Sequence, residues 1–158
     1  MKLARLGAPG AERPVVLDEG RVLDARAIVD DWSHDALSPA RLDAVRDALA
    51  KGTLGELKEA EGLRFGAPVA RPGALICIGQ NYAEHAAESG SAPPENPIVF
   101  LKPPSSLAGP TDSISLPSDA LKADWEVELG VVIGTAAYRL DSAAVSYTHL
   151  TLPTILRV

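Results

Sequence analysis

Asp124-Trp125-Glu126-Val127-Glu128-Leu129-Gly130-Val131-Val132-Ile133 alternates carboxylates with apolar residues as far as Leu129 and turns wholly apolar after Gly130. Side chains of a strand point alternately to its two faces. An extended reading therefore sends Asp124, Glu126 and Glu128 one way and Trp125, Val127, Leu129, Val131 and Ile133 the other. The apolar set predicts a long strand lying on a core. On the other face three like charges repel unless water or a cation neutralises them. Carboxylate oxygens are the preferred ligands of hard divalent cations such as Mg²⁺, Mn²⁺ or Ca²⁺. A solvated strand face paired with nearby lysines is the plainer alternative.

Upstream of this stretch the same kind of reading yields short elements. Ala74 to Ile78 and Pro97 to Lys102 read as strands with a short helix between them, and a strand-like piece comes after them at Ile114 to Leu116. Further back, Pro14-Val15-Val16-Leu17 and Arg21-Val22-Leu23 flank Asp18-Glu19-Gly20, a hairpin pattern. Ser38 as N-cap, Pro39 at the first helical position, Leu42, Val45 and Leu49 at helical spacing and Gly52 as the stop predict one amphipathic helix. Glycine, proline and alanine crowd the stretch from Gly62 to Gly73, which reads as a boundary between a small N-terminal unit and a second, mainly β one. The expected class is α+β, mainly β.

Composition bounds the function. The 158 residues carry a formal net charge of −6 and no basic block, which leaves no electrostatic footprint for nucleic acid. Neither a signal peptide nor a membrane-spanning run is visible, so no membrane partner is expected. The single cysteine, Cys77, excludes an internal disulfide, fits a reducing cytoplasm, and is expected to pack in the apolar run Ala74-Leu75-Ile76-Cys77-Ile78.

A second chemistry-bearing stretch is Gly79-Gln80-Asn81-Tyr82-Ala83-Glu84-His85-Ala86-Ala87-Glu88-Ser89-Gly90. Asn81 and Glu84 have capping-box spacing, and Gly90 reads as the helix stop. His85 and Glu88, at i and i+3, become neighbours on one helix face. A carboxylate beside an imidazole fixes its tautomer and raises its basicity, as a water-activating base requires. An exposed helix pair with no catalytic part is the plainer alternative. Lys102 closes the apolar run Ile98-Val99-Phe100-Leu101; it reads as a snorkelling surface lysine or as a point charge for a substrate carboxylate. His34, after Trp32-Ser33, reads as a loop residue. No dinucleotide fingerprint, phosphate loop, serine-hydrolase elbow or CxxC is present.

Taken in order, Ile78 to His85, Pro97 to Pro103 and Asp124 to Gly134 resemble the fumarylacetoacetate hydrolase family, and the opening residues are similar to bacterial ureidoglycolate lyases or fumarylacetoacetase-like hydrolases. The resemblance runs from residue 1 to about 144. It implies a small N-terminal domain over 1–66 and, over 72–145, the beginning of a mixed β-roll catalytic domain. It further implies that Glu126 and Glu128 are two of three metal-ligand carboxylates, with Asp124 only a neighbour. His85 and Glu88 match the pair on the family's lid helix, and Lys102 and Gln80 are substrate-binding candidates. The third ligand belongs to a segment resembling Asn-Asp-Val-Ser, which this chain lacks. Residues 146–158 do not continue the family pattern and resemble a string at the ends of unrelated environmental sequences. The expected activity is a metal-dependent hydrolase or lyase, with Mg²⁺ first among the cations, acting on a small 2-oxo acid or related oxo-carboxylate. A homodimer in the cytoplasm is implied as well. The alternative is a non-catalytic fragment with an incomplete metal site.

Overall fold

The computed structural model describes residues 1–141 and 150–151. The chain divides into two compact units, one of Met1–Ala70 with Ala108–Val158 and one of Arg71–Leu107.

The first unit is built on an antiparallel sheet of four strands in sequence order: β1 (Lys2–Leu6), β2 (Arg13–Asp18), β3 (Arg21–Asp24) and β4 (Gly55–Glu56). Register runs Lys2↔Leu17 to Leu6↔Arg13 between β1 and β2, and Val15↔Asp24 to Asp18↔Arg21 between β2 and β3. Between β2 and β3 only Glu19 and Gly20 remain unpaired, at φ 47° and 81°. Two positive values in a two-residue loop define a type I′ turn, whose twist matches the flanking strands. The hairpin expected at Asp18-Glu19-Gly20 is present. No strand was expected at Lys2–Leu6, where a period-two pattern is short and charged residues interrupt it.

Helix α1 (Pro39–Ala50) starts and stops where its signals lie. Ser38 is the extended N-cap, Pro39 opens the helix, and Gly52 comes after the C-cap Lys51 at φ 65°. The Ser38 hydroxyl, however, donates to the Asp35 carbonyl at 2.8 Å instead of capping the helix. Leu42 and Val45 are buried and join Val16, Leu23, Ala25, Val29, Leu37 and Trp32 in one core cluster. Trp32 is fully buried, and its indole N–H donates to the Ala4 carbonyl at 2.8 Å, so the ring's one polar atom is satisfied inside the core. A second cluster joins Ala4, Leu6, Val15 and Leu57.

The second unit is a ribbon of β5 (Leu75–Gly79) and β6 (Ile98–Lys102), antiparallel in the register Leu75↔Lys102 to Gly79↔Ile98, with the helix α2 (Ala83–Glu88) in the connection. Both strands lie where the apolar runs predict them. Every residue of β6 is exposed, and Cys77 is half-buried rather than packed away. Two strands provide no second layer, so the ribbon's apolar faces stay open.

The expected long strand at 124–133 is not formed. Asp124 to Val131 have no regular secondary structure, and only β7 (Val132–Ile133) pairs, with β8 (Leu150–Thr151). The residues expected to reach a core are exposed instead: Trp125 is 79% accessible and Leu129 64%. Alternation specifies which face would be buried, but a strand also needs a partner for its backbone groups. Among the described residues no strand is paired with 124–131. The strand-like reading of Ile114 to Leu116 fails likewise; both side chains are exposed. The expectation for 146–158 falls outside the described residues, apart from β8. The content, with more strand than helix, agrees with an α+β, mainly β class. Among the described residues no helix is long and apolar enough to cross a membrane.

Candidate functional site

Four of the six candidate residues belong to the second unit: Gln80, His85, Glu88 and Lys102. Strand β5 ends at Gly79, and the chain turns immediately at Gln80, whose φ is 50°. Outside glycine this left-handed region is sparsely used and carries a conformational cost. The turn leads into α2, where Tyr82 is the extended N-cap, at φ −111° and ψ 131°. The capping box expected from Asn81 is therefore absent: Asn81 lies one position too early, and no side chain caps the helix. The stop is as expected. Ser89 is the C-cap, Gly90 comes next at φ 73°, and its N–H donates to the Ala87 carbonyl at 3.0 Å.

His85 and Glu88 share this helix at a spacing of three, which makes them neighbours on its surface. His85 is half-buried and Glu88 exposed; Ala86 is the buried residue that seats the helix. The Gln80 side chain is already engaged: its amide N–H donates to the Ser89 hydroxyl at 3.2 Å. Lys102 pairs with Leu75, at the opposite end of the ribbon from Gly79. Four strand steps separate the two ends, about 13 Å along the ribbon. The structure thus gathers Gln80, His85 and Glu88 and sets Lys102 apart from the start of the α2 connection.

Glu126 and Glu128 lie in the irregular segment of the other unit, and both are exposed. Among the described residues no three His, Cys, Asp or Glu side chains come together as a cation site. Ca²⁺ asks for several protein oxygens, whereas Mg²⁺ keeps several waters and can be held through one or two carboxylates. Among the described residues no third ligand joins Glu126 and Glu128, which leaves the three-carboxylate set incomplete.

Sequence reasoning missed the densest charged cluster, which belongs to the first unit. Arg5 donates to both oxygens of Asp31, at 2.7 and 2.9 Å, to Glu12 at 3.2 Å and to the Ala67 carbonyl at 3.1 Å. Arg64 donates to Glu12 at 3.0 Å and grips Asp112 through two bonds of 2.5 Å. The paired guanidinium and the Gly109 N–H hold the Asp112 carboxyl down, from its ordinary 3.8 to about 2. Arg64 is pushed up in turn, by Asp112 first and Glu12 second. Burial would raise Glu12, yet its own backbone N–H, Arg64 and Arg5 leave it lowered overall. Partners from 7 to 62 residues apart in sequence leave no local signal from which this network could be read. Its charged groups are held by one another and by neighbouring backbone groups, which fits a fastening role.

His34 stands in a surface turn, as expected, beside a shallow hollow at the start of α1 that also involves Asp35, Ser38 and Arg41. None of the six candidates lies there.

Comparison with known proteins bears most on the second unit and on the carboxylate segment. Residues 74–154 match the model of the fumarylacetoacetate (FAA) hydrolase C-terminal family, a little over half of the chain. A Burkholderia multivorans protein and a Burkholderia ambifaria protein, each named "Putative hydrolase", are 50% identical to the chain over 144 residues. Those alignments cover 90% of this chain and 50% of each relative, so the chain spans about half the length of the curated relatives it matches. A crystal structure described as "a putative HpcE protein from Mycobacterium smegmatis" superposes with a TM-score of 0.74 at 28% identity, covering 94% of this chain and 52% of that one. The match of residues 74–154 takes in α2, the β5–β6 ribbon and the carboxylate segment alike, and by it the chain belongs to the fumarylacetoacetate hydrolase family.

Proposed function

We propose that the chain is the N-terminal part of a hydrolase or lyase that cleaves a small 2-oxo acid or related oxo-carboxylate, with His85 as its general base. The observation that carries this reading is the position of His85 and Glu88: three residues apart on a helix held directly behind a strand end, inside the span that matches the family. Glu88 would hold the imidazole in one tautomer. His85 would then take a proton from water, and the hydroxide would add to the substrate carbonyl. The carbon–carbon bond would break with its electron pair leaving on the departing carbon. That carbanion would be quenched by the proton from the imidazolium, so the histidine would return to its starting state. Lys102 is the point charge proposed for a substrate carboxylate.

Family members generally use a divalent cation. Glu126 and Glu128 are the carboxylates we assign to it, with Mg²⁺ the cation proposed. Since the described donors do not complete a site, no chemical step is assigned to the ion. Fumarylacetoacetase-like hydrolysis fits these steps; in ureidoglycolate-type cleavage His85 would instead take the substrate's hydroxyl proton as the C–N bond breaks and return it to the leaving urea nitrogen. A homodimer in the cytoplasm remains the proposed state. The second reading, a chain that binds no cation and turns nothing over, is favoured by the absence of a three-ligand cluster among the described residues.

Calorimetric titration with Mg²⁺ and Mn²⁺, together with turnover of a panel of 2-oxo acids, separates the two. The proposal expects cation binding that the Glu126→Gln, Glu128→Gln double variant loses. No heat at millimolar metal and no turnover by the chain would favour the second reading.

A further inference from the structure

Helix α2 has six residues, well short of the length at which a helix holds itself in water. Something must keep it wound. No side chain caps its N-terminus, and only Ala86 among its residues is buried. What closes the segment is a contact between its two ends. Gln80 lies before the helix and Ser89 after it, nine residues on, and the Gln80 amide N–H donates to the Ser89 hydroxyl at 3.2 Å. That hydroxyl has one hydrogen to give, and its best-placed acceptor is the Ala86 carbonyl at 2.9 Å, with the His85 carbonyl at 3.2 Å beside it. The Ser89 N–H also donates to the His85 carbonyl, at 3.2 Å. The Ser89 hydroxyl is thus a second donor at the helix end, beside the Ser89 N–H on the His85 carbonyl and the Ser91 N–H, which donates to the Ala86 carbonyl at 2.9 Å.

Gln80 takes its place in this contact at a conformational cost. Its φ of 50° lies in the region where glycine, asparagine and aspartate are favoured, and its long side chain loses rotamer freedom on being held. An unfavourable backbone at a non-glycine residue, kept beside a candidate base, points to a use for the side chain.

We propose that Gln80 and Ser89 form a clasp that positions His85, with Ser89 acting on the His85 backbone and Gln80 acting through Ser89. The proposal rests on the reading of His85 and Glu88 as a base and its orienting carboxylate. It makes Gln80 a positioning residue instead of a substrate-binding one. Both are replaceable without touching the imidazole.

The test uses the 158-residue chain and nuclear magnetic resonance. Amide exchange at Ser89, Gly90 and Ser91 and the ring ¹⁵N shifts of His85 are recorded for wild type, Ser89→Ala, Ser89→Thr, Gln80→Ala and the double alanine variant. Loss of a net hydrogen bond is expected to speed exchange at these amides about five- to tenfold in Ser89→Ala. The His85 ring shifts should move toward the average of two tautomers. Ser89→Thr, which keeps the hydroxyl, should restore both. The double variant should exchange no faster than Ser89→Ala alone, because the two residues share one contact. Unchanged exchange and ring shifts in Ser89→Ala, or additive effects in the double variant, would overturn the clasp. A Glu88→Gln control keeps the two ideas apart. Ring shifts indifferent to it would sink the His85–Glu88 reading, while the exchange data would still judge the clasp.

Discussion

At the level of single residues, Arg64, Asp112 and Gly109 matter as much to the fold as the candidate base does to the chemistry. Gly109 is buried, and a Cβ there would run into the Phe65 carbonyl. Its N–H meanwhile donates to Asp112 at 2.6 Å. Gly109→Ala is expected to destabilise the first unit by roughly 1–3 kcal/mol, the usual cost of overpacking a closed site. Urea unfolding monitored by tryptophan fluorescence checks this, and an unchanged midpoint would count against the contact. The Asp112 carboxyl titrates near 2 when folded against 3.8 when free. A carboxyl lowered by folding adds stability at pH above its free value and loses it as pH falls through the folded one. The clamp should therefore weaken between about pH 4 and pH 2, and Asp112→Asn should flatten the stability curve in that window. Equal slopes for wild type and variant would show that the pair does not contribute.

Among the elements, the β2–β3 hairpin offers the cleanest trial. Glu19 occupies a positive-φ position of a type I′ turn that prefers asparagine or glycine. Glu19→Asn should stabilise the protein by roughly 0.5–1 kcal/mol, read as a higher thermal midpoint. Where signals were local, the sequence revealed the elements. Ser38-Pro39 and Gly52 bracket α1, Gly90 ends α2, and the apolar runs at Leu75 and Ile98 became paired strands. It failed where an element depends on something distant. The Asp124–Leu129 alternation is sound as a pattern, but no described strand pairs with it to accept its backbone. Trp32 as the centre of a core, the Arg5–Arg64 network and the Gln80–Ser89 contact all join residues whose separation hides them. Within the candidate site, helix and spacing were legible. The conformation of Gln80 was not, because nothing in a glutamine announces a left-handed φ.

Across the whole molecule, exposed apolar side chains are unevenly spread. Apart from Phe65, every large exposed hydrophobic residue among those described lies between Ile76 and Tyr138, the part that matches the family, whereas residues 1–70 enclose both buried clusters. The irregular segment 113–131 carries Lys122, exposed and without strand pairing. Brief trypsin treatment should cut after Lys122 before any site within β1 to α1, as mass spectrometry of the early fragments would reveal. First cuts at Arg41 or Arg46 would contradict this ordering of stability. The assignment of His85 as the base is decided by turnover of a 2-oxo acid in a version extended to the relatives' length, with His85 and with alanine in its place. The prediction is a fall in kcat of about 10²–10⁴ with cation affinity unchanged. A His85→Ala variant that keeps the wild-type kcat would contradict it.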